Sequence, residues 1–510
     1  MKAEKKGLLK PTLQITALSL GGIALNFLTQ LLVAYYFGAT PARDAYFAAL
    51  ALPTYVAALL VGSLGVIYLP VFVDVTSKKG NLDARAFLGN SIGLVFGITA
   101  LIVVAGTVFS NELIQLTAPG FSFEQIQFAG QLQRILLPTI VFQVLSHITA
   151  SVLQTRSQFL LPAFTPLLST LIILVVVSLL SKSIGIQSLA YGTLLGNAIA
   201  FLFNVMYLIR QNQVRFTGKF NNPYIKRWLA LSLPLLAAGI FYRLTTVFER
   251  GIASYLEEGS LSYLGYANQI MTILATVTSS GIATTLYPQL SNSWIERDME
   301  SLKQQFLNGI RIILLICVPI AVVFIFWGQP VFRLLFERGA FTPEATVAVT
   351  STFAFLTGAF LANSLGNLVA KIYYLSGKTM LGSAIEVATA LIYLALAVSL
   401  AKKMQYNGLA LATSITAALS ITASFISLYF ILKGFDLKEL IRSFVLIPLA
   451  ALLPMLLLQT LLKQLTVSIN SLSIVLVAAS MLLYLLLYIC MLKLVGTPEL
   501  NQIQRKLYFS

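Results

Sequence analysis

The residues that could do chemistry in this chain sit inside apolar runs. The run 229–254, LALSLPLLAAGIFYRLTTVFERGIAS, holds Arg243 and Arg250 seven residues apart, which puts both on one helix face. Tyr242 and Glu249 share the adjacent stripe, and Thr246 lies one turn beyond Arg243. Ionisable groups at membrane depth are costly and mark function by default. The planar guanidinium fork matches phosphate or carboxylate oxygens two at a time. The functional expectation is a cationic stripe that binds such a group on a cargo. The inert alternatives are an internal salt bridge, or an Arg250 that snorkels to the interface.

The other polar groups are read the same way. Glu249 and Glu386 are carboxylates inside runs. They would take Na+ or H+, with Thr413 or Ser414 as further oxygen ligands, or would pair with a nearby Arg or Lys. Lys371 falls late in its run, at the cavity or its rim. Asn26 and Gln30 stand one turn apart beside Thr29, and Asn268 and Gln269 adjoin each other. These amides suit a glycan, and equally suit hydrogen bonds between helices. His147, the one histidine, is expected as a hydrogen-bonded packing residue. Arg43 and Asp44, in a short loop, read as a gate pair at the outer helix ends or as a solvated surface pair. There is no P-loop, and one His cannot build a multi-His metal site. Transport is expected rather than catalysis, with no resident cofactor, driven by an ion gradient, the membrane potential or the cargo's own gradient.

The elements that must position these groups follow from composition. The 510 residues are 58% hydrophobic and 10% charged, against about 25% charged in a soluble domain. That excludes a soluble enzyme, a disordered chain and a disulfide scaffold, and Cys317 and Cys490 read as packing thiols. The 34 Lys and Arg against 18 Asp and Glu, net +16, are spread over loops rather than gathered in a nucleic-acid-binding module. The first apolar run follows a basic start without a cleavage site and reads as a retained span.

An all-α polytopic membrane protein of fourteen spans is expected: 13–37, 46–73, 87–109, 132–154, 159–181, 188–209, 228–251, 263–290, 306–327, 347–374, 380–401, 407–432, 442–462 and 472–492. With both ends cytoplasmic, 23 Lys and Arg fall on the cytoplasmic side and seven on the other. The sequence also repeats at an offset near 220. Phe121 and Glu124 match Phe341 and Glu344, and Leu189, Ala190 and Thr193 match Leu409, Ala410 and Thr413. An even number of spans per repeat gives two parallel six-helix lobes, 1–220 and 221–440, around a central cavity, with 441–510 outside the repeat.

Several segments together resemble the MurJ (MviN) family: YYFGATPARDAYFAAL, LTAPGF, ASYLEEGSLSYLGYANQI, LLFERGAFTPEAT and NGLALATSI. The resemblance covers nearly the whole chain and implies membership of the MOP (MATE-like) exporter superfamily. It implies a V-shaped, alternating-access flippase of lipid II, the undecaprenyl-pyrophosphate-linked peptidoglycan precursor, in the bacterial inner membrane. The last two spans would form a groove for the lipid tail. Partners would be that glycolipid, membrane lipids and cell-envelope synthesis proteins, with the chain itself a monomer and no nucleic acid. Family arginines on span 1, span 2 and span 8 correspond here to Ile23 and Thr29, to Ala57 or Ala58, and to Gln269. Asp44 is kept, and Arg243 is the repeat-equivalent of Ile23. The alternatives are a Wzx-type flippase of an exopolysaccharide or O-antigen precursor, and a MATE-like antiporter of small cations.

Overall fold

The structure, a computed structural model, describes residues 2–156, 158–464 and 474–495, and every regular element among them is helical. In chain order the helices are α1 (Lys2–Phe37), α2 (Pro41–Leu60), α3 (Val66–Lys79), α4 (Asn81–Val108), α5 (Ser110–Thr117), α6 (Phe123–Leu136), α7 (Thr139–Thr155), α8 (Leu160–Ile184) and α9 (Gln187–Arg210). They continue as α10 (Pro223–Ala253), α11 (Ser260–Ala275), α12 (Gly281–Ile295), α13 (Met299–Phe336), α14 (Pro343–Ser376), α15 (Thr379–Ile431), α16 (Leu437–Gln464) and α17 (Ile474–Val495). Their outer faces are apolar: Leu101, Leu179 and Leu482 are 71%, 74% and 63% exposed, a surface made for lipid.

Among the described residues, 11 spans are long and apolar enough to cross a membrane, and the bent pair built on α11 and α12 makes 12 if it is one span. The 53 residues of α15 would run about 80 Å as one helix, but the backbone leaves helical space at Gln405, so two spans meet there. With α10, 31 residues long, the helices are compatible with fourteen spans. The span expected at 132–154 is instead α6 and α7 together, broken at Pro138, which lacks the N–H to continue the ladder. The one expected at 46–73 carries a π-helical turn at Val61–Gly65.

The chain packs as two compact units, one of residues 1–262 with 338–341, the other of 263–337 with the residues from 342 onward. The packing therefore does not divide at the repeat boundary near 220. Helix α10 opens the second repeat but packs in the first unit. Its Trp228, fully buried, stands edge-on to Tyr68 at 5.1 Å and donates Nε1–H to the Leu64 carbonyl at 2.9 Å. Leu64 lies in the π turn, where the loosened ladder leaves a carbonyl for an outside donor. In the second unit α16 is tied to α13 by the Arg311–Glu439 pair and by Arg311 Nε–H to Ser443 Oγ at 3.0 Å. Helix α17 is tied to α13 by the Tyr488 hydroxyl, which donates to the Leu315 carbonyl at 3.0 Å.

The internal repeat reappears in the backbone. Residues with positive φ pair up at separations of 217–221: Gly38 with Gly259, Gly80 with Arg297, Gly185 with Gln405, and Asn212 with Lys433. Ser122 caps α6 by accepting from Gln125 N–H, and Thr342 caps α14 by accepting from Ala345 N–H. The π turn at Val61–Gly65 has its counterpart at Thr276–Ser280. His147 packs on the first, where a Cβ on Gly65 would fall 2.5 Å from its Nδ1. Asn367, its repeat-equivalent, donates Nδ2–H to Ser279 Oγ in the second at 2.7 Å.

Gln405 holds φ 53° and ψ −138°, and Gly185 holds φ 58° and ψ −140°. That region costs a side chain roughly 1–3 kcal/mol. Gln405→Gly is expected to raise the unfolding temperature of the detergent-solubilised chain, and Gly185→Gln to lower it. A lower melting temperature for Gln405→Gly would show that side-chain contacts outweigh the strain.

Candidate functional site

The polar cluster with the most built geometry lies in the first unit, where α2 begins. Thr40 is the N-cap, Pro41 pre-sets the first turn, and Asp44 sits in that turn. Its carboxylate does not serve its own helix. Oδ2 accepts from Gly259 N–H at 2.7 Å, and Oδ1 accepts from Ser262 N–H at 2.7 Å and from the Ser262 hydroxyl. These are the unpaired donors at the N-terminus of α11, so a negative charge on α2 caps the positive end of another helix.

Glycines let the backbones close around this point. A Cβ on Gly120 would fall 2.4 Å from the Ser254 carbonyl oxygen, and Gly120 N–H donates to Ser254 Oγ at 3.0 Å. In the repeat-equivalent contact, a Cβ on Gly38 would fall 2.1 Å from the Ala340 oxygen, and Ala340 N–H donates to the Tyr35 carbonyl at 2.8 Å. Four of the five segments that carry the family resemblance thus meet in one joint.

The two arginines nearest the joint are built into it. Arg43 is 1% exposed, with its guanidinium 5.0 Å from the Tyr46 ring centroid and 4.2 Å from that of Phe47. Arg250 donates Nη1–H to the Phe47 carbonyl at 2.6 Å, committing one of its five N–H donors. The Tyr46 hydroxyl pairs with Thr193 Oγ1 at 3.1 Å. Two expectations change here. Arg43 and Asp44 are buried, so they are no solvated surface pair, and the carboxylate of Asp44 goes to α11. Arg250 does not snorkel to an interface; it is tied to α2. The side chains of Tyr242 and Arg243 lie outside the described residues, while Glu249 is half-buried.

The remaining candidates are spread out. Thr29 is buried and donates to the Leu25 carbonyl of its own helix at 2.8 Å, and Gln30 reaches Asn26 at 3.4 Å. Gln30 Oε1 in the first unit and Gln269 Oε1 in the second are buried with no hydrogen-bond partner among the described residues. Asn268 is half-buried beside Gln269 on α11. Lys371 lies 5.2 Å from the Tyr287 ring centroid. Glu386 accepts from Ser420 Oγ at 2.8 Å, not from Thr413, whose hydroxyl donates to the Leu409 carbonyl one turn back. Ser414 is likewise bonded to α14, at the Phe355 carbonyl and Ala359 N–H. Cys317 is buried against Thr278, whereas Cys490 is exposed on the outer face of α17 rather than packed.

Ser262 and Gly259 are less legible in the sequence. Their signal was a Gly-Ser-x-Ser opening of an apolar run, an N-cap pattern whose acceptor comes from elsewhere in the chain. Asp44→Asn is expected to lower the unfolding free energy by about 2–3 kcal/mol, because an amide replaces a charged acceptor of three hydrogen bonds. Ser262→Ala should cost about 1 kcal/mol. Thermal unfolding in one detergent measures both, and an unchanged Asp44→Asn would remove the capping role.

The family model for the lipid II flippase MurJ matches residues 33–478. A probable lipid II flippase MurJ of Buchnera aphidicola subsp. Baizongia pistaciae is 24% identical over 479 residues, 92% of each chain. The solved structure of a lipid II flippase MurJ in an inward closed conformation superposes with a TM-score of 0.81 at 24% identity, covering 94% of this chain and 98% of that one. An inward-facing multidrug resistance MATE transporter of the MOP superfamily gives 0.69 at 15% identity, covering 81% and 98%. The structural likenesses are likenesses of fold. The match of the family model over most of the length decides the family: this chain belongs to the lipid II flippase MurJ family.

Proposed function

We propose that this chain flips lipid II, a lipid-linked glycan, across the bacterial inner membrane by alternating access. The observation that carries the reading is the family match over residues 33–478. The family is one of multi-pass inner-membrane transporters, and the chain is given no catalytic role. Its cargo is bulky, with an anionic pyrophosphate, a polar glycan and a long hydrocarbon tail.

The residues are assigned to those three parts. Arg243 and Arg250 on α10 take the pyrophosphate, in place of the arginines absent at Ile23, Thr29, Ala57 or Ala58, and Gln269. With one donor of Arg250 on Phe47, Arg243 carries the larger share. The amides Asn26 and Gln30 of the first unit suit glycan hydroxyls, as do Asn268 and Gln269 of the second, with Lys371 as a further cation. An apolar pocket of about 410 Å³ between α15 and α16, lined by Phe425, Tyr429, Leu440 and Phe444 among others, suits part of the tail. The Asp44 joint serves as the gate. The repeats 1–220 and 221–440 are the two halves of the transporter, with α10 of the second packed among helices of the first, 441–510 adds the tail helices, and both termini face the cytoplasm. The chain works as a monomer, with cell-envelope synthesis proteins as its protein partners.

For coupling, Glu386 with Ser420 offers one carboxylate and one hydroxyl. Such a pair can take up H+ on the carboxylate or lend two oxygens to Na+. Glu249 is the other candidate carboxylate.

The test is depletion of the resident lipid II flippase in a bacterial host that expresses this chain. Growth and lipid II accessible on the outer face are expected to return. Arg243→Ala should lower the accessible lipid II at least about tenfold, the worth of a lost charge-assisted contact. Failure of the parent chain, with its membrane insertion verified, would sink the reading and turn the search to exopolysaccharide precursors. Efflux of small cations instead would point to antiport.

A further inference from the structure

The segment between α9 and α10 is fixed to the first turns of α4. Arg215 N–H donates to the Arg85 carbonyl at 3.1 Å. Thr217 N–H donates to Asn90 Oδ1 at 3.1 Å, and Asn90 Nδ2 donates to Thr217 Oγ1 at 2.8 Å and to the Lys219 carbonyl at 3.1 Å. Gly89 permits the approach, since a Cβ there would fall 2.3 Å from the Arg215 oxygen. Residues 215–219 therefore lie along α4 as a clamped strap.

At the same end of the unit stand two arginines. Arg85 is in the second turn of α4, and Arg156 closes α7. Phe87 and Leu88 of α4 share one buried cluster with Val152 and Leu153 of α7, which holds the start of one helix beside the end of the other. Both arginines are half-buried, and the Nε of each is buried with no hydrogen-bond partner among the described residues. Burial first, and the like charge of Arg85 second, push the Arg156 pKa down from its ordinary value. Asp74 on the neighbouring α3 is already bound, to Lys78 at 2.8 Å and to Arg227 at 2.6 Å.

Like charges held together and partly desolvated destabilise a fold unless something supplies the opposite charge. Two guanidinium forks suit the oxygens of a phosphate. With both termini cytoplasmic, the orientation proposed above and on which this inference rests, this end faces the cytoplasmic leaflet, whose surface is anionic. We propose that Arg85 and Arg156 form a phosphate-binding site at the cytoplasmic end of the first unit, and that Arg215 and Lys219 on the clamped strap add to its charge. The phosphate is that of an anionic lipid headgroup or of a free phosphoanion. This site is separate from the α10 arginines assigned to cargo.

The full chain is reconstituted in nanodiscs of phosphatidylcholine, alone or with phosphatidylglycerol. Phosphatidylglycerol is expected to raise the unfolding temperature by about 3 °C. The double variant Arg85→Gln/Arg156→Gln loses that rise, and Lys182→Gln, in the last turn of α8, keeps it. Arg156→Gln alone should melt above the parent chain in phosphatidylcholine, where it relieves repulsion, and gain less from phosphatidylglycerol. Loss of an ordinary surface charge gives no such crossover. A rise caused by millimolar inorganic phosphate, and lost in the double variant, assigns the site to a free phosphoanion; a rise with phosphatidylglycerol alone assigns it to lipid. A double variant that answers both ligands as the parent does overturns the site. Should that variant not fold, hydrogen exchange of the parent decides: phosphatidylglycerol must slow exchange at 81–90 and 213–219, and unchanged exchange overturns the site as well.

Discussion

A membrane protein has no water at hand to complete a broken backbone ladder, so every interruption needs a partner from within the chain. The start of α11 shows this constraint most plainly. Its first N–H groups point at Asp44, a carboxylate more than two hundred residues earlier in the chain. The rest of the joint is arranged so that this carboxylate can arrive. Pro41 sets the turn that carries it, Gly259 accepts the backbone twist beside it, and Gly38 and Gly120 let neighbouring main chains come within contact distance. Arg43 and Arg250 are held next to it along α2, one over the Phe47 ring and the other on the Phe47 carbonyl.

The same constraint explains the π turns. Each opens a helix ladder inside a span, and each is met by groups from other helices: Trp228 and His147 at Val61–Gly65, Asn367 and Cys317 at Thr276–Ser280. The chemistry differs while the position is kept. An imidazole over a glycine in one repeat becomes an amide on a serine in the other. What the two repeats share is therefore a set of backbone exceptions, and each repeat satisfies them with the side chains it has. Gly185 and Gln405 are the limiting case, the same dihedral angles with and without a side chain.

This division bears on the reading of the family. The segments that make the chain recognisable are mostly those that form the joint, where close backbone approach at Gly38 and Gly120 tolerates few residue types. The cationic positions are under a looser geometric demand. A guanidinium on a long flexible stem can reach one anion from several helices, which is why the proposed reading lets arginines on α10 stand in for those absent at Ile23 and Gln269. Gly38 and Asp44 are fixed by the backbone approaches around them, whereas an arginine is limited only by the reach of its stem.

Read alone, the sequence determined the class of solvent, the helical content, the repeat and the family. The physical reason is that each is a property of local composition or of matching along the chain: an apolar run of membrane length can only be a span, and Phe121 and Phe341 keep their spacing whatever surrounds them. Tertiary structure alone decided partnership. Arg43 and Asp44 are adjacent in sequence and looked paired, yet the carboxylate caps α11 and the guanidinium lies over aromatic rings. Thr413 looked like the oxygen beside Glu386, and Ser420, two helical turns away, holds that place. Trp228 opens the second repeat but is buried in the first unit. A hydrogen-bond partner depends on which distant backbone arrives within 3 Å, and that distance is set by the packing of whole helices, on which neighbouring residue types carry no information.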